Sequence, residues 1–320
     1  MEELKSHFAN PIGRLLKMRK SLGYETNFHL QTLKRFDAFA IARHPDANEI
    51  TRSLVEEFVL NEQLEGRKGI REKLHAIRNL GTFICSTGGK AFVVPMSMIP
   101  KPRKFNPHVF TDEELALLFR QIDEMPVGKS FDPMVNRFAP VLFRLIYTCG
   151  LRPGEAYRLQ RRNVDLSTGE IKIEKTKNKR DRVVVMSDEM RSLLASYMEY
   201  LQIKHPSAEF LFCDSNARKC KTGLFNRFFR KVWRRTCEES GIKSSMQARA
   251  YDLRHRFASR VLCGWAAEGL DLFSRLPILR AYMGHAALSS TMYYVHLLPK
   301  ALLTSSAIDW NRLNAILPEE

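Results

Sequence analysis

Apolar residues recur at helical spacing through the first ninety or so positions: Phe28, Leu30, Leu33, Phe36, Phe39 and Ala40 in one run, Leu54, Val55, Phe58, Val59 and Leu60 in the next. A stripe at every third or fourth residue buries one face of a helix, so the spacing predicts several short helices over residues 1–92. A basic turn, Gly66 to Lys73, leads into a further helix carrying Leu74, Ile77, Leu80 and Phe83. The pattern breaks between Val94 and Pro107, where Pro95, Pro100, Pro102 and Pro107 are interspersed with Lys101, Arg103 and Lys104. Proline fixes φ and like charges repel, so this stretch reads as extended. It fits a strand laid along a polyanion and a plain spacer equally well.

Helical spacing resumes at Thr111. Thr111 followed three residues later by Glu114 forms a capping box ahead of Leu115, Leu117, Leu118 and Phe119. An apolar helix is expected over Pro140 to Tyr147, ending at Thr148-Cys149-Gly150-Leu151. Pro153 then suits the first turn of another helix, with Arg152 at its mouth and Glu155 one turn in. From Val164 to Met186 the period changes to two: Gly169 to Glu174 alternates and Arg182 to Met186 is β-branched, which predicts a hairpin whose tip carries Lys175, Lys177, Lys179 and Arg180. Between Thr222 and Gly241, Phe225, Phe228, Phe229, Val232 and Trp233 mark a core face, interleaved with Arg227, Arg230, Lys231, Arg234 and Arg235. A last apolar helix over Ala301 to Leu317 either folds back on its own core or docks on a neighbour. The expected fold is mainly α with a small antiparallel β-sheet (α+β), in two domains: an all-α helical bundle over 1–93, a basic linker over 94–109, and a larger domain over 110–320.

Charge narrows the partner. The chain of 320 residues has 51 Lys and Arg against 35 Asp and Glu, a net +16, and residues 1–110 hold 18 of the basic and 11 of the acidic residues, so both halves are basic. A surplus on two domains suits a long polyanion better than a single acidic pocket, because each neutralised phosphate releases counterions; nucleic acid leads, and a merely solvated basic surface is the other reading. The six cysteines form no CxxC pair and read as reduced thiols. No apolar run has the length of a signal peptide or a bilayer span, so no membrane is expected and the cytoplasm is the expected compartment.

The candidate chemistry lies near the C-terminal end, in Tyr251-Asp252-Leu253-Arg254-His255 and in Gly284-His285 followed by Tyr293-Tyr294 and His296. An arginine fork matches phosphate oxygens, while His and Tyr exchange protons. The same tyrosines also fit half-buried aromatics on a helix. On the hairpin rim a lysine can reach a phosphate and give up a proton, but four basic residues crowd the tip and chemistry alone does not choose among them. There is no Walker-type glycine loop and no acidic cluster with metal spacing.

In order, Thr148-Cys149-Gly150-Leu151-Arg152-Pro153-Gly154-Glu155, Thr176-Lys177 with Arg182 closing the hairpin tip, Leu253-Arg254-His255, Gly284-His285 and Tyr294 resemble the motifs of the tyrosine recombinase (phage integrase) family. The match covers the second domain almost end to end, and the N-terminal region resembles that family's helical core-binding (SAM-like) domain. The resemblance implies strand cleavage and rejoining of double-stranded DNA with no metal and no other cofactor. Tyr294 would be the nucleophile, forming a 3′-phosphotyrosyl link. Arg152 and Arg254 would bracket the non-bridging oxygens, His285 would add a hydrogen bond, and Lys177 would protonate the departing 5′-oxygen. Glu155 matches a supporting acid. Tyr251 stands where the family usually has His; a phenol, with a reference pKa of about 10, donates well but is a poorer base near neutrality, so an active but slower site is expected. Tyr293 is read as packing, and His255 and His296 as structural.

The function so implied is a site-specific recombinase, of a mobile element such as a transposon, working as a dimer on one site and a tetramer in the synapse, with the C-terminal helix exchanged between copies. A type IB topoisomerase-like relaxing enzyme and a non-catalytic DNA-binding regulator are the alternatives.

Overall fold

The computed structural model of the protein describes residues 4–24, 26–61, 67–101, 107–126, 131–174, 181–241 and 248–295. Two compact units divide the chain, Met1–Phe105 and Asn106–Glu320.

The first unit contains, among the described residues, four α-helices, α1 (Ala9–Ser21), α2 (Asn27–Arg43), α3 (Arg52–Asn61) and α4 (Arg67–Ser86), and a short 3-10 turn over Met96–Met98. Their apolar stripes meet in one core around Phe36, which is fully buried and stands edge-on to Phe58 with ring centres 5.3 Å apart. Phe8, Ile12, Leu15, Leu33, Val55, Ile77 and Leu80 complete it. The α2 carboxylate of Asp37 is buried there and accepts the backbone N–H of Lys5 (2.9 Å) and of Ser6 (3.1 Å), which fixes the approach to α1. Gly66, at the start of the basic turn, and Pro102, Arg103 and Lys104 of the linker lie outside the described residues.

The second unit is built on α5 (Asp112–Glu124), α6 (Met134–Thr148), a single turn α7 (Pro153–Ala156), strands β1 (Val164–Asp165), β2 (Glu170–Ile173) and β3 (Arg182–Val185), and helices α8 (Asp188–Lys204), α9 (Thr222–Ser240), α10 (Ala250–Ala267), α11 (Leu272–Met283) and α12 (Ser289–Met292). The fold is therefore mainly helical with a small antiparallel sheet, as the patterning predicts. The expected capping box is present: Thr111 Oγ1 accepts from Glu114 N (3.2 Å), and Glu114 Oε2 accepts from Thr111 N (3.0 Å). Helix α6 begins six residues before the expected start, and Pro140 lies inside it. Met134, Val135, Phe138 and Ala139 extend its buried face in the N-terminal direction, so packing overrides the missing proline donor.

Helix α6 is central, packing against α5, α8 and α10. Phe138 and Phe143 anchor it to the aromatic face of α9 through Phe225 (5.5 Å) and Phe229 (5.3 Å). The sheet runs in order β1-β2-β3, with Ile171 opposite Val184 and Ile173 opposite Arg182. Ile171, Ile173 and Val184 face the core, whereas Val183 and Val185 are exposed, the alternation that a one-sided sheet requires. A second cluster, around Phe257, Leu276, Leu279 and Met292, holds α10, α11 and α12 together. All six cysteines are free thiols. Among the described residues no helix is long and apolar enough to cross a membrane.

Candidate active site

Four separate pieces of chain converge on the candidate site. The α6 helix closes on Gly150, whose φ of +61° is left-handed, a conformation that costs glycine little. The turn delivers Arg152 to the N-terminal end of α7, where the Glu155 carboxylate accepts from its backbone N–H (2.9 Å) and from Nη1 (2.8 Å). Arg152 Nη2 reaches across to donate to the Gly284 carbonyl (2.6 Å). The helix-mouth position expected to favour anions thus amounts to one helical turn, and the Glu155 carboxylate takes the Arg152 backbone N–H there.

Arg254, on the buried face of α10, is wholly inaccessible. It donates through Nη1 to the Gly150 carbonyl (2.5 Å), and through Nη2 to the Met283 carbonyl (2.7 Å) and to His285 Nε2 (3.0 Å). Its Nε–H is buried with no hydrogen-bond partner among the described residues. A guanidinium has no lone pair to offer, so His285 Nε2 accepts. The proton of a neutral His285 then sits on Nδ1, 2.8 Å from Thr291 Oγ1, and donates to it. Burial lowers the His285 pKa to about 3, helped by the positive charges of Arg254, Arg152 and Arg182, so the ring is neutral near pH 7.

Tyr294 stacks on His285, with ring centres 5.9 Å apart and planes 21° apart. Burial raises its pKa to about 12, although Arg254's charge pulls the other way. Exposure separates the adjacent tyrosines, and in the sense opposite to the expectation that Tyr293 packs: Tyr293 is 40% exposed and Tyr294 only 2%. The reason is the turn after α12, which points residue 294 into the α10–α11 cluster and residue 293 away from it. Tyr251 lies one helical turn before His255, ring centres 5.0 Å apart, and His255 also lies 5.4 Å from Tyr294. His255 Nδ1 is buried with no hydrogen-bond partner among the described residues, and burial, with Arg249 and Arg254 nearby, lowers its pKa to about 4.

Glu155 is held on its other side by a residue that sequence reasoning used only to mark the end of the hairpin. Arg182 Nη1 and Nη2 donate to its two oxygens (3.0 and 2.8 Å). Burial alone would raise the Glu155 pKa, but the hydrogen bonds and charge of Arg182, with those of Arg152, bring it down to about 2. Thr291 was also missed; only its spacing before Tyr294 could have suggested it. Lys177, His296 and the C-terminal helix expected over 301–317 lie outside the described residues. Among the described residues there is no group of three or more His, Cys, Asp or Glu placed to hold a metal.

Residues 109–301 match the phage integrase family. The chain belongs to that family. It is accordingly a tyrosine-type site-specific recombinase. Similar proteins include a putative integrase/recombinase, y4rE, of Sinorhizobium fredii, 28% identical over 291 residues that cover 89% of this chain and 90% of the relative. The tyrosine recombinase XerC of Oceanobacillus iheyensis is 27% identical over 246 residues, 74% of this recombinase and 72% of that one. Among solved structures, the Tn1549 transposon integrase in complex with circular intermediate DNA superposes with a TM-score of 0.65 at 16% identity, covering 94% of this chain and 99% of that one. XerH site-specific recombinase bound to a palindromic difH substrate gives a TM-score of 0.61 at 19% identity over 86% of this chain and 77% of that one. At such identities the structural likeness establishes the fold.

Proposed function

We propose that this recombinase cleaves and rejoins double-stranded DNA with Tyr294 as its nucleophile. The observation that carries the reading is the convergence of Arg152, Arg254, His285 and Tyr294, drawn from α7, α10 and the turns that follow α11 and α12, on one small volume. A phosphate entering there meets two guanidiniums whose donors now rest on carbonyls and on His285. As the Tyr294 ring swings off His285, phosphate oxygens take over those donors, the unpartnered Nε–H included. Charge building on the non-bridging oxygens in the transition state is thereby stabilised.

Release from Arg254 frees His285 Nε2 to accept a hydrogen bond from the Tyr294 hydroxyl and orient it, and the phenolic proton leaves to solvent as the oxygen attacks. The Tyr294 Oη–phosphorus bond forms as the phosphorus–5′-oxygen bond breaks, and Lys177 supplies the proton that the leaving oxygen needs. The phosphotyrosyl link conserves the phosphodiester, so the reverse step reseals a strand without ATP. Glu155 supports Arg152, and Tyr251 donates to a phosphate oxygen from the position where the family usually has His. Two copies on one site and four in a synapse of two duplexes fit an enzyme that must exchange strands, and a mobile element fits the resemblance to the Tn1549 integrase fold.

Covalent trapping tests the assignment. The protein is incubated, without metal or ATP, with nicked duplexes spanning the ends of its own genetic element, and products are resolved on a denaturing gel. The parent and Tyr293→Phe are expected to give a protein–DNA adduct and Tyr294→Phe none. An adduct from Tyr294→Phe, or none from the parent on DNA that it binds, would refute it.

A further inference from the structure

We propose that Arg182 is a positioning residue: acting through Glu155, it sets where the Arg152 guanidinium points without itself touching DNA. The proposal rests on the reading of Arg152 as a phosphate clamp. Its basis is a fixed triangle in which the Glu155 carboxylate, 4% exposed, takes one bond from Arg152 Nη1 and a two-pronged fork from Arg182. The Arg182 side chain is itself only 7% exposed.

A third bond, from Arg182 Nε to the Tyr282 carbonyl (2.7 Å), locks the guanidinium against the C-terminal end of α11. Beyond it, Gly284 passes so close that a Cβ there would stand 3.1 Å from Arg182 Nη1. The Gly284 carbonyl in turn accepts from Arg152 Nη2. Arg182 therefore touches both anchors of Arg152, the carboxylate and the turn that ends in His285. It also belongs to β3, five residues after Lys177, so one side chain ties the hairpin to the phosphate site.

Two cations sharing one carboxylate divide its attraction. With Arg182 present, Glu155 orients Arg152 but leaves it donors for a phosphate. Without Arg182, a buried carboxylate has a single cation left, and pairing fully with Arg152 is the way to avoid an uncompensated charge. That pairing draws Arg152 away from the phosphate, and displacement of a clamp by about 1 Å is enough to cost on the order of 10²-fold in rate.

The experiment measures the rate of adduct formation on the nicked duplex at saturating protein, together with half-saturation and melting temperature, in the full chain. Arg182→Met is expected to slow adduct formation on the order of 10²-fold with half-saturation within about twofold of the parent. Arg182→Lys, which returns one charge without the fork, recovers part of the rate and guards against a methionine variant that fails to fold. Adding Glu155→Gln to Arg182→Met gives a protein no slower than the slower single variant, because the carboxylate that captures Arg152 is gone. Parental rates in Arg182→Met, losses that multiply in the double variant, or a defect confined to half-saturation would each overturn the proposal. No adduct from the parent would overturn the assignment of the site as well, whereas an active parent with an unaffected Arg182→Met overturns only this inference.

Discussion

Gly150→Ala is the sharpest probe of how the fold holds the site. Residue 150 has a φ of +61°, and an added Cβ would lie 2.4 Å from Phe257 Cδ1 and 2.6 Å from Cε1. Left-handed backbone costs a non-glycine residue about 1–2 kcal/mol. Forcing a methyl into a filled site costs about 1–3 kcal/mol more, and the Phe257 ring has little room to yield because it is stacked on Tyr282 at 5.7 Å. The sum, about 2–5 kcal/mol, is a large share of the roughly 5–15 kcal/mol of a typical domain. In a unit of this size it lowers the melting temperature by about 4–20 °C. Because the Gly150 carbonyl also accepts from Arg254 Nη1, cleavage falls beyond what stability explains, on the order of 10²-fold. Calorimetry and adduct formation on the same samples read the two effects, and Phe257→Leu in the Gly150→Ala background is expected to return the overpacking part while leaving the backbone part. A cost below about 1 kcal/mol, or no recovery with Phe257→Leu, would refute the reasoning.

Tyr251→His is expected to cleave as fast as the parent or up to about tenfold faster, since it places an imidazole where the phenol now stands; slower cleavage would show that Tyr251 has a role of its own. Stability should fall on acidification. His285 and His255 have folded pKa values of about 3 and 4, below the ordinary 6.5, so the stability they contribute is present above pH 6.5 and lost as pH falls toward 4 and then 3. Glu155, at about 2 against an ordinary 4.5, adds a loss below pH 4.5, while Asp252, raised by burial, opposes it in part. The melting temperature is thus expected to drop on acidification below about pH 6.5; a rise between pH 6.5 and 4 would contradict the assigned charge states.

The sequence alone determined the elements whose signals are strongest, although it did not mark α8, α10 or α11. Helical spacing placed the N-terminal helices, Thr111 and Glu114 announced the start of α5, and alternation over Gly169 to Met186 predicted β2 and β3, because these signals are local and repeat at the period of the structure that they form. Motif order pointed to the family and singled out Arg152, Arg254, His285 and Tyr294 as the candidate site residues. What only the tertiary structure decided is how those groups are held. Arg254 bonds a carbonyl 104 residues away, and Arg152 one that is 132 residues away; such pairings leave no period in the chain. The Arg182 fork on Glu155, the tautomer of His285 fixed by Arg254 and Thr291, and the burial of Tyr294 beside an exposed Tyr293 arise where separate elements meet. A side chain's partners there depend on three-dimensional proximity, which local spacing does not encode.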